Sequence, residues 1–340
     1  MLSLTSVIAA VIAFFAVFLS GYAFVPLLKR LKFGQTIRED GPKWHQSKDG
    51  TPTMGGIMII AGLIVAVLAG VVYGCFTNGK LVGEFAFTQK TLRWIAALVL
   101  ALAMGIIGFA DDFIKVVKHR NLGLTARQKT FAQLIVSAVY LAVLLFGGMH
   151  TTYIPFVGEV NILSGAGLVF WPIALFFVYG FVNAVNLTDG VDGLASSVTL
   201  VVCCAFMVLS GVGNYQGNNL LASAGAGACI GFVMWNAHPA KVFMGDTGSM
   251  FLGGLVVGLS FAVGKPILLI PVGIVYLIEA LSVVIQVSHY KRTKKRIFKM
   301  TPIHHHFEMC GWSEEKIVVA FSFVTLIGSV LAILPVILLK

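Results

Sequence analysis

Phe243-Met244-Gly245-Asp246-Thr247-Gly248-Ser249 puts one carboxylate between two glycines, with a long apolar run ending before it and another starting after it. A carboxylate at such a boundary is costly unless it binds a metal, pairs with a cation or meets water. Glycines on either side let backbone N–H groups come close to an anion. Two more acidic sites, Asp111-Asp112 and Asp189/Asp192, also stand where an apolar run stops. If the runs are membrane spans, fold and site are decided together by whether these acids share one face.

The composition makes them spans. Hydrophobic residues are 58% of the 340 and charged residues 11%, against about 25% charged in a soluble domain; mean hydropathy is +0.93. Apolar runs at 4–28, 54–75, 94–110, 131–149, 166–185, 194–211, 219–236, 248–264, 266–287 and 317–339 predict ten transmembrane helices, each of roughly 25–35 Å at 1.5 Å per residue. The least secure boundary is Lys265-Pro266, between the eighth and ninth. The first run is too long for a signal-peptide core and lacks a basic start and a small-residue cleavage site, so it reads as an uncleaved span. No repeat or linker divides the chain, which reads as a single all-α integral membrane domain, 1–340. The segment 153–162 predicts a small external β-hairpin around a Gly158-Glu159 turn.

Charge orients the bundle. Nineteen of the 24 Lys and Arg fall in the loops 29–53, 111–130, 186–193, 237–247 and 288–316. By the positive-inside rule these loops are cytoplasmic, with both termini outside. All five motif aspartates then face the cytoplasm. The formal charge of +10 is accounted for by these loops and does not call for nucleic acid. The five cysteines form no CxxC pair and mostly lie in apolar runs, as small buried hydrophobes.

Asp111-Asp112 precede a basic stretch that includes Lys115. Consecutive helical residues diverge by about 100°, so one Asp can face a site while the other meets a cation or water. Asn186-Leu187-Thr188-Asp189-Gly190-Val191-Asp192-Gly193 joins two spans with almost no loop, and its glycines argue for exposed backbone near a ligand. It lacks the ligand pattern of an EF-hand. Lys48-Asp49-Gly50-Thr51-Pro52-Thr53-Met54-Gly55-Gly56 favours an anion at a helix N-terminus, without the Walker pattern of an ATPase. His304-His305-His306 are adjacent rather than spaced as zinc ligands are, and donation to phosphate oxygens is the better reading. Glu279 and Gln286 share a face of the ninth span, Gln286 near its inner end and Glu279 deeper. Crowded carboxylates beside phosphate-type neighbours point to Mg²⁺ and to metal-assisted phosphoryl transfer between a soluble phosphate compound and a lipid.

With these motifs assembled, the chain resembles the polyprenyl-phosphate N-acetylhexosamine-1-phosphate transferase superfamily. The triple-His segment and Gly50-Thr-Pro-Thr-Met-Gly-Gly56 point to its MraY family, the phospho-N-acetylmuramoyl-pentapeptide transferases. The motifs run in the family's order from the first inner loop to the last, with no departure. The resemblance implies transfer of phospho-MurNAc-pentapeptide from UDP-MurNAc-pentapeptide to undecaprenyl phosphate, giving lipid I and UMP with Mg²⁺. It further implies a homodimer in the bacterial cytoplasmic (inner) membrane, with ten spans. It implies Asp246 as metal ligand, and Asp111 and Asp112 serving the lipid phosphate or its deprotonation. Lys48, Thr53, Asn186, Asp189, Asp192, Asn236, Phe243, Gln286, His304, His305 and His306 would line the nucleotide-sugar site, Phe243 stacking on uracil. Direct attack and a covalent phospho-enzyme both stay open. A GlcNAc-1-phosphate transferase would keep the Asp motifs but lack the triple His; a secondary transporter would put its polar residues at the bilayer midplane.

Overall fold

The computed structural model describes residues 4–31, 48, 50–78, 88–118, 122–154 and 157–338. In chain order the helices are α1 (Leu4–Arg30), α2 (Gly56–Asn78), α3 (Gln89–Val117), α4 (Ala126–Phe146), α5 (Phe170–Thr188), α6 (Leu194–Gly213), α7 (Gln216–Asn236), α8 (Gly245–Ala262), a short α9 (Leu269–Val272), α10 (Ile274–Thr293), a short α11 (Ile303–Glu308) and α12 (Glu314–Leu338). Most of the expected inner loop 29–53, with Asp49, lies outside the described residues, as do His119 and Arg120 of the basic stretch.

Each expected run falls on helix, but the spans are not all alike. Among the described residues seven helices, α1 to α6 and α12, are long and apolar enough to cross a membrane, and α9 with α10 make an eighth if that bent pair is one span. The outer surface is correspondingly apolar, with Phe15, Ile106, Phe131 and Val319 all exposed. The chain is a multi-pass membrane protein. α7 and α8 are less apolar for a physical reason: most of α7 and nearly all of α8 pack against protein, not lipid. Every residue of α8 from Thr247 to Ala262 is buried, so small residues that admit close neighbours serve better there than bulky apolar ones. The ninth expected span, 266–287, is not one straight helix. It begins as a 3-10 turn at Pro266–Leu268, bends by 79° between α9 and α10, and runs on to Thr293.

α8 is the axis of the bundle, and α3 lies along it. A Cβ on Gly258 would stand 2.6 Å from that of Ala97, and one on Gly108 would stand 2.1 Å from the Asp246 carbonyl oxygen. The two backbones therefore touch along their length, which fixes the end of α3 against the start of α8. That contact brings Asp111-Asp112 to Asp246.

The hairpin is present as β1 (Thr151–Ile154) paired antiparallel with β2 (Gly158–Asn161). Its turn is not at Gly158-Glu159: Ile154 pairs with Gly158, so the chain reverses before that glycine. Pro155 and Phe156 lie outside the described residues. Tyr153 donates its N–H to the Gly264 carbonyl, past the C-terminal end of α8. The hairpin is thus at the opposite end of α8 from Asp246, about 27 Å away for 18 residues at 1.5 Å each. Of the cysteines, Cys203 and Cys229 are buried, whereas Cys75, Cys204 and Cys310 are exposed, so an apolar setting did not mean burial.

Candidate functional site

Asp111 and Asp112 do not lie beyond the third span; α3 continues through them to Val117, and both are buried. Their side chains diverge as helical spacing requires. Asp112 faces α8, accepting N–H bonds from Asp246 at 3.2 Å and Thr247 at 2.8 Å, and the Thr247 hydroxyl at 2.7 Å. It thereby satisfies first-turn donors that the helix leaves free. Asp111 accepts the Leu124 N–H at 2.9 Å and meets Lys115 Nζ at 2.6 Å. Gly245 makes the junction possible. Its φ is +69°, and a Cβ there would stand 2.5 Å from Asp112 Oδ2 and 2.8 Å from Thr53 Oγ1.

Asp246 takes Lys115 at 2.8 Å and Lys129 at 3.0 Å on Oδ2, and the Asn186 amide at 2.7 Å on Oδ1. The same amide donates to Ser249 Oγ at 2.7 Å. Lys115 Nζ also stands 3.8 Å from Asp112 Oδ1. One ammonium group therefore sits where three carboxylates converge, and one oxygen from each of Asp111, Asp112 and Asp246 lies within 4.8 Å of the others. This donor set is all oxygen and hard, and it fits a small divalent cation such as Mg²⁺. Such a cation would take the position that Lys115 holds.

The loop after α5 links this cluster to a second one. Asp192 is buried and saturated: Lys48 at 2.7 Å on Oδ1, with His238 Nδ1 at 3.1 Å and the Ala240 N–H at 3.0 Å on Oδ2. Lys48 also pairs with Glu314 at 2.7 Å, and Glu314 accepts the Asp192 N–H at 3.0 Å. The lysine expected to await an anion is thus held by two carboxylates. Asn236 braces the same loop, accepting from Gly193 N–H at 3.1 Å and donating to the Val242 carbonyl at 2.9 Å. Asp189 differs. It is half-buried, and burial, with Asp246, Asp112 and Asp192 nearby, holds its carboxyl well above the usual carboxylate range.

The remaining expected residues stand further out. Phe243 is half-buried; its backbone pairs with Pro52 and Gly55, each at 2.8 Å, docking the segment before α2 onto the start of α8. Gln286 holds the basic loop, accepting from Ile297 N–H at 2.9 Å and Phe298 N–H at 3.1 Å. His306 Nδ1 accepts the Lys299 N–H at 3.1 Å, His305 pairs with Glu308, and His304 with Glu279. Among these contacts only His304 reaches the acidic loop, against Gly190.

Four residues that hold the expected ones were not assigned as their partners from the sequence, Lys115 being named there only within a basic stretch. Lys115 was findable as the i+4 neighbour of Asp111, and Glu314 as another acid at a span boundary. Lys129 and His238 carried no local signal, since their partners are distant in the chain.

Comparison of the sequence with known proteins places it in a family. Residues 94–264, from α3 through α8, match glycosyl transferase family 4. Residues 48–60, the Lys48 segment and the start of α2, match phospho-N-acetylmuramoyl-pentapeptide-transferase signature 1. The phospho-N-acetylmuramoyl-pentapeptide-transferase of Carboxydothermus hydrogenoformans is 46% identical over 327 residues, covering 94% of this chain and 95% of that protein. Those of Bacillus licheniformis and Bacillus subtilis are each 44% identical, covering 91% of both chains. Carboxylates gathered at one end of a helical membrane bundle, the signature at Lys48 and identity over nearly the full length lead to one assignment: the chain belongs to the phospho-N-acetylmuramoyl-pentapeptide-transferase family, and is a transferase of cell-wall synthesis.

Proposed function

We propose that the protein transfers phospho-MurNAc-pentapeptide from UDP-MurNAc-pentapeptide to undecaprenyl phosphate, releasing UMP and forming lipid I. The observation that carries this reading is the convergence of Asp111, Asp112 and Asp246 on a single cation position. Phosphoryl transfer needs charge neutralised on the pyrophosphate and little covalent help from the protein. Asp246, with Asp111 and Asp112 beside it, would hold Mg²⁺, which supplies that neutralisation. Asn186 fixes one oxygen of Asp246, so the carboxylate keeps its orientation as ligands come and go.

Lys115 and Lys129 then have a second use. With Mg²⁺ supplying the charge that the carboxylates need, Lys115 and Lys129 would serve as cationic partners for the phosphates of donor and acceptor, favouring the transition state. Asp111, next to Lys115, is placed to take a proton from the lipid phosphate. Lys48, His304, His305, His306 and Phe243 face the donor side in this reading, with Phe243 stacking on uracil. Ten spans, with α7 and α8 crossing inside the bundle, leave both termini outside and the site facing the cytoplasm. The enzyme works as a homodimer in the bacterial inner membrane.

The test is UMP release from UDP-MurNAc-pentapeptide by purified protein supplied with undecaprenyl phosphate. Release should require the lipid phosphate, vanish with EDTA and return with Mg²⁺. Equal release from UDP-GlcNAc would leave only the superfamily-level activity.

A further inference from the structure

Glu279 is an acid in the apolar interior of α10, fully buried, and nothing in the chemistry above uses it. Both of its oxygens go to one residue. Oε1 stands 3.1 Å from His304 Nδ1, and Oε2 accepts the His304 backbone N–H at 3.4 Å. His304 is itself fully buried, and its other ring nitrogen, Nε2, has no partner. That nitrogen lies against Gly190: a Cβ there would stand 2.2 Å from it. The His305 ring closes a further side, its centroid 4.1 Å away.

We infer that Glu279 is a positioning residue of the transferase site. It holds the His304 ring with Nδ1 inward and Nε2 against the Asp189-Gly190 turn, setting where that turn presents itself to the donor substrate. The geometry favours this over a merely structural ion pair. A merely structural pair would cost stability when one partner is removed but leave kcat/KM of the folded fraction untouched. Here the carboxylate fixes both the ring orientation and the backbone of the residue it holds, as the partners of functional histidines commonly do. The unpartnered Nε2 meets the acidic loop at a residue without a side chain, so ring and loop touch directly and a shift of one moves the other. This inference rests on the assignment of the acidic loop and His304 to the donor site.

The experiment is a double-mutant cycle read in detergent-purified full-length protein. Its readouts are kcat and KM for UDP-MurNAc-pentapeptide, the Kd of UMP by calorimetry, and the thermal midpoint. Glu279→Met should lower kcat/KM by about 30-fold, and Glu279→Gln, which keeps an acceptor for Nδ1–H, by no more than about 5-fold. In a His304→Ala background, Glu279→Met should change UMP affinity and residual turnover by less than about 2-fold, because its route of action is gone. Gly190→Ala, which pushes the ring from the other side, should reproduce the Glu279→Met loss in kcat/KM, with a lower thermal midpoint from the overpacking. The inference is overturned if Glu279→Met costs the same factor with and without His304, or if Glu279→Gln is as damaging as Glu279→Met. A fully active His304→Ala protein would sink something different, the placing of His304 at the donor site.

Discussion

Two clusters in this protein have the same parts, buried carboxylates around a lysine, and behave differently. In one, Lys115 stands among Asp111, Asp112 and Asp246, with its side chain 34% exposed and that of Asp246 18% exposed. In the other, Lys48 stands between Asp192 and Glu314, with side-chain exposures of 14%, 3% and 10%. The first opens to solvent at Lys115 and Asp246, while Asp111 and Asp112 behind them are buried. In the second, Asp192 is saturated by Lys48, by the exposed His238 and by the Ala240 N–H, and Lys48 is held between two buried carboxylates. A shared recipe of charges therefore does not define a site. What separates them is whether the charges still have somewhere to move: the open cluster suits exchange of a cation, and the closed one ties three parts of the chain together.

The comparison breaks first at Asp246. Asp246→Asn keeps the shape and removes the charge a hard cation needs, so Mg²⁺-dependent UMP release should fall by about 1000-fold or more. The thermal midpoint without Mg²⁺ should fall only modestly: Lys115 and Lys129 favour the charged carboxylate, but both lysines are partly exposed and Lys115 keeps Asp111. Near-normal turnover at ordinary Mg²⁺ would remove Asp246 from the centre of the site.

Next come the histidines, of which His304 is fully buried and His305 and His306 half-buried. His304→Ala, His305→Ala and His306→Ala should all fold, and at least one should lose about 100- to 1000-fold in turnover, the usual cost of a lost transition-state donor. His304 is the first candidate, as the one that touches the acidic loop. Mg²⁺ affinity should not change. Stoichiometric zinc in the purified protein, or three fully active variants, would exclude the histidines from the proposed site.

Asp192→Asn should invert the Asp246 pattern. It strands part of the Lys48 charge in a nearly closed setting, so stability should drop by about 1–3 kcal/mol, read as a lower thermal midpoint. Its effect on turnover should be smaller than that of Asp246→Asn. If Asp192→Asn instead kills turnover with no change in midpoint, the closed cluster is chemical after all.

The smallest effect concerns Asp189. Its folded-state pKa is raised by burial and neighbouring carboxylates, so the folded protein holds that proton more tightly than the unfolded chain does. Stability is then lost as pH rises above the ordinary carboxylate value of about 4 and is regained as pH falls back through it. Asp189→Asn in Mg²⁺-free buffer should therefore melt about one or two degrees higher than the native protein at pH 8, and equally near pH 4. A constant difference at both pH values would contradict this electrostatic account.

Hydropathy and charge count, both local along the chain, were enough to identify a helical membrane bundle, to mark acids at span boundaries and to reveal the family through contiguous motifs. They missed where α3 really ends, because Asp111 and Asp112 look like loop residues until α8 supplies their hydrogen-bond donors. They also could not foresee the bend between α9 and α10. Only the tertiary structure decided which lysine meets which acid. Lys115 and Asp246 are 131 residues apart, Lys48 and Asp192 144, and Lys48 and Glu314 266. Such pairs depend on how closely helices approach, set by glycines and alanines whose local pattern says only that something small is needed. Residue type announced that charge would gather at one end of this molecule; packing decided which of those charges stayed open.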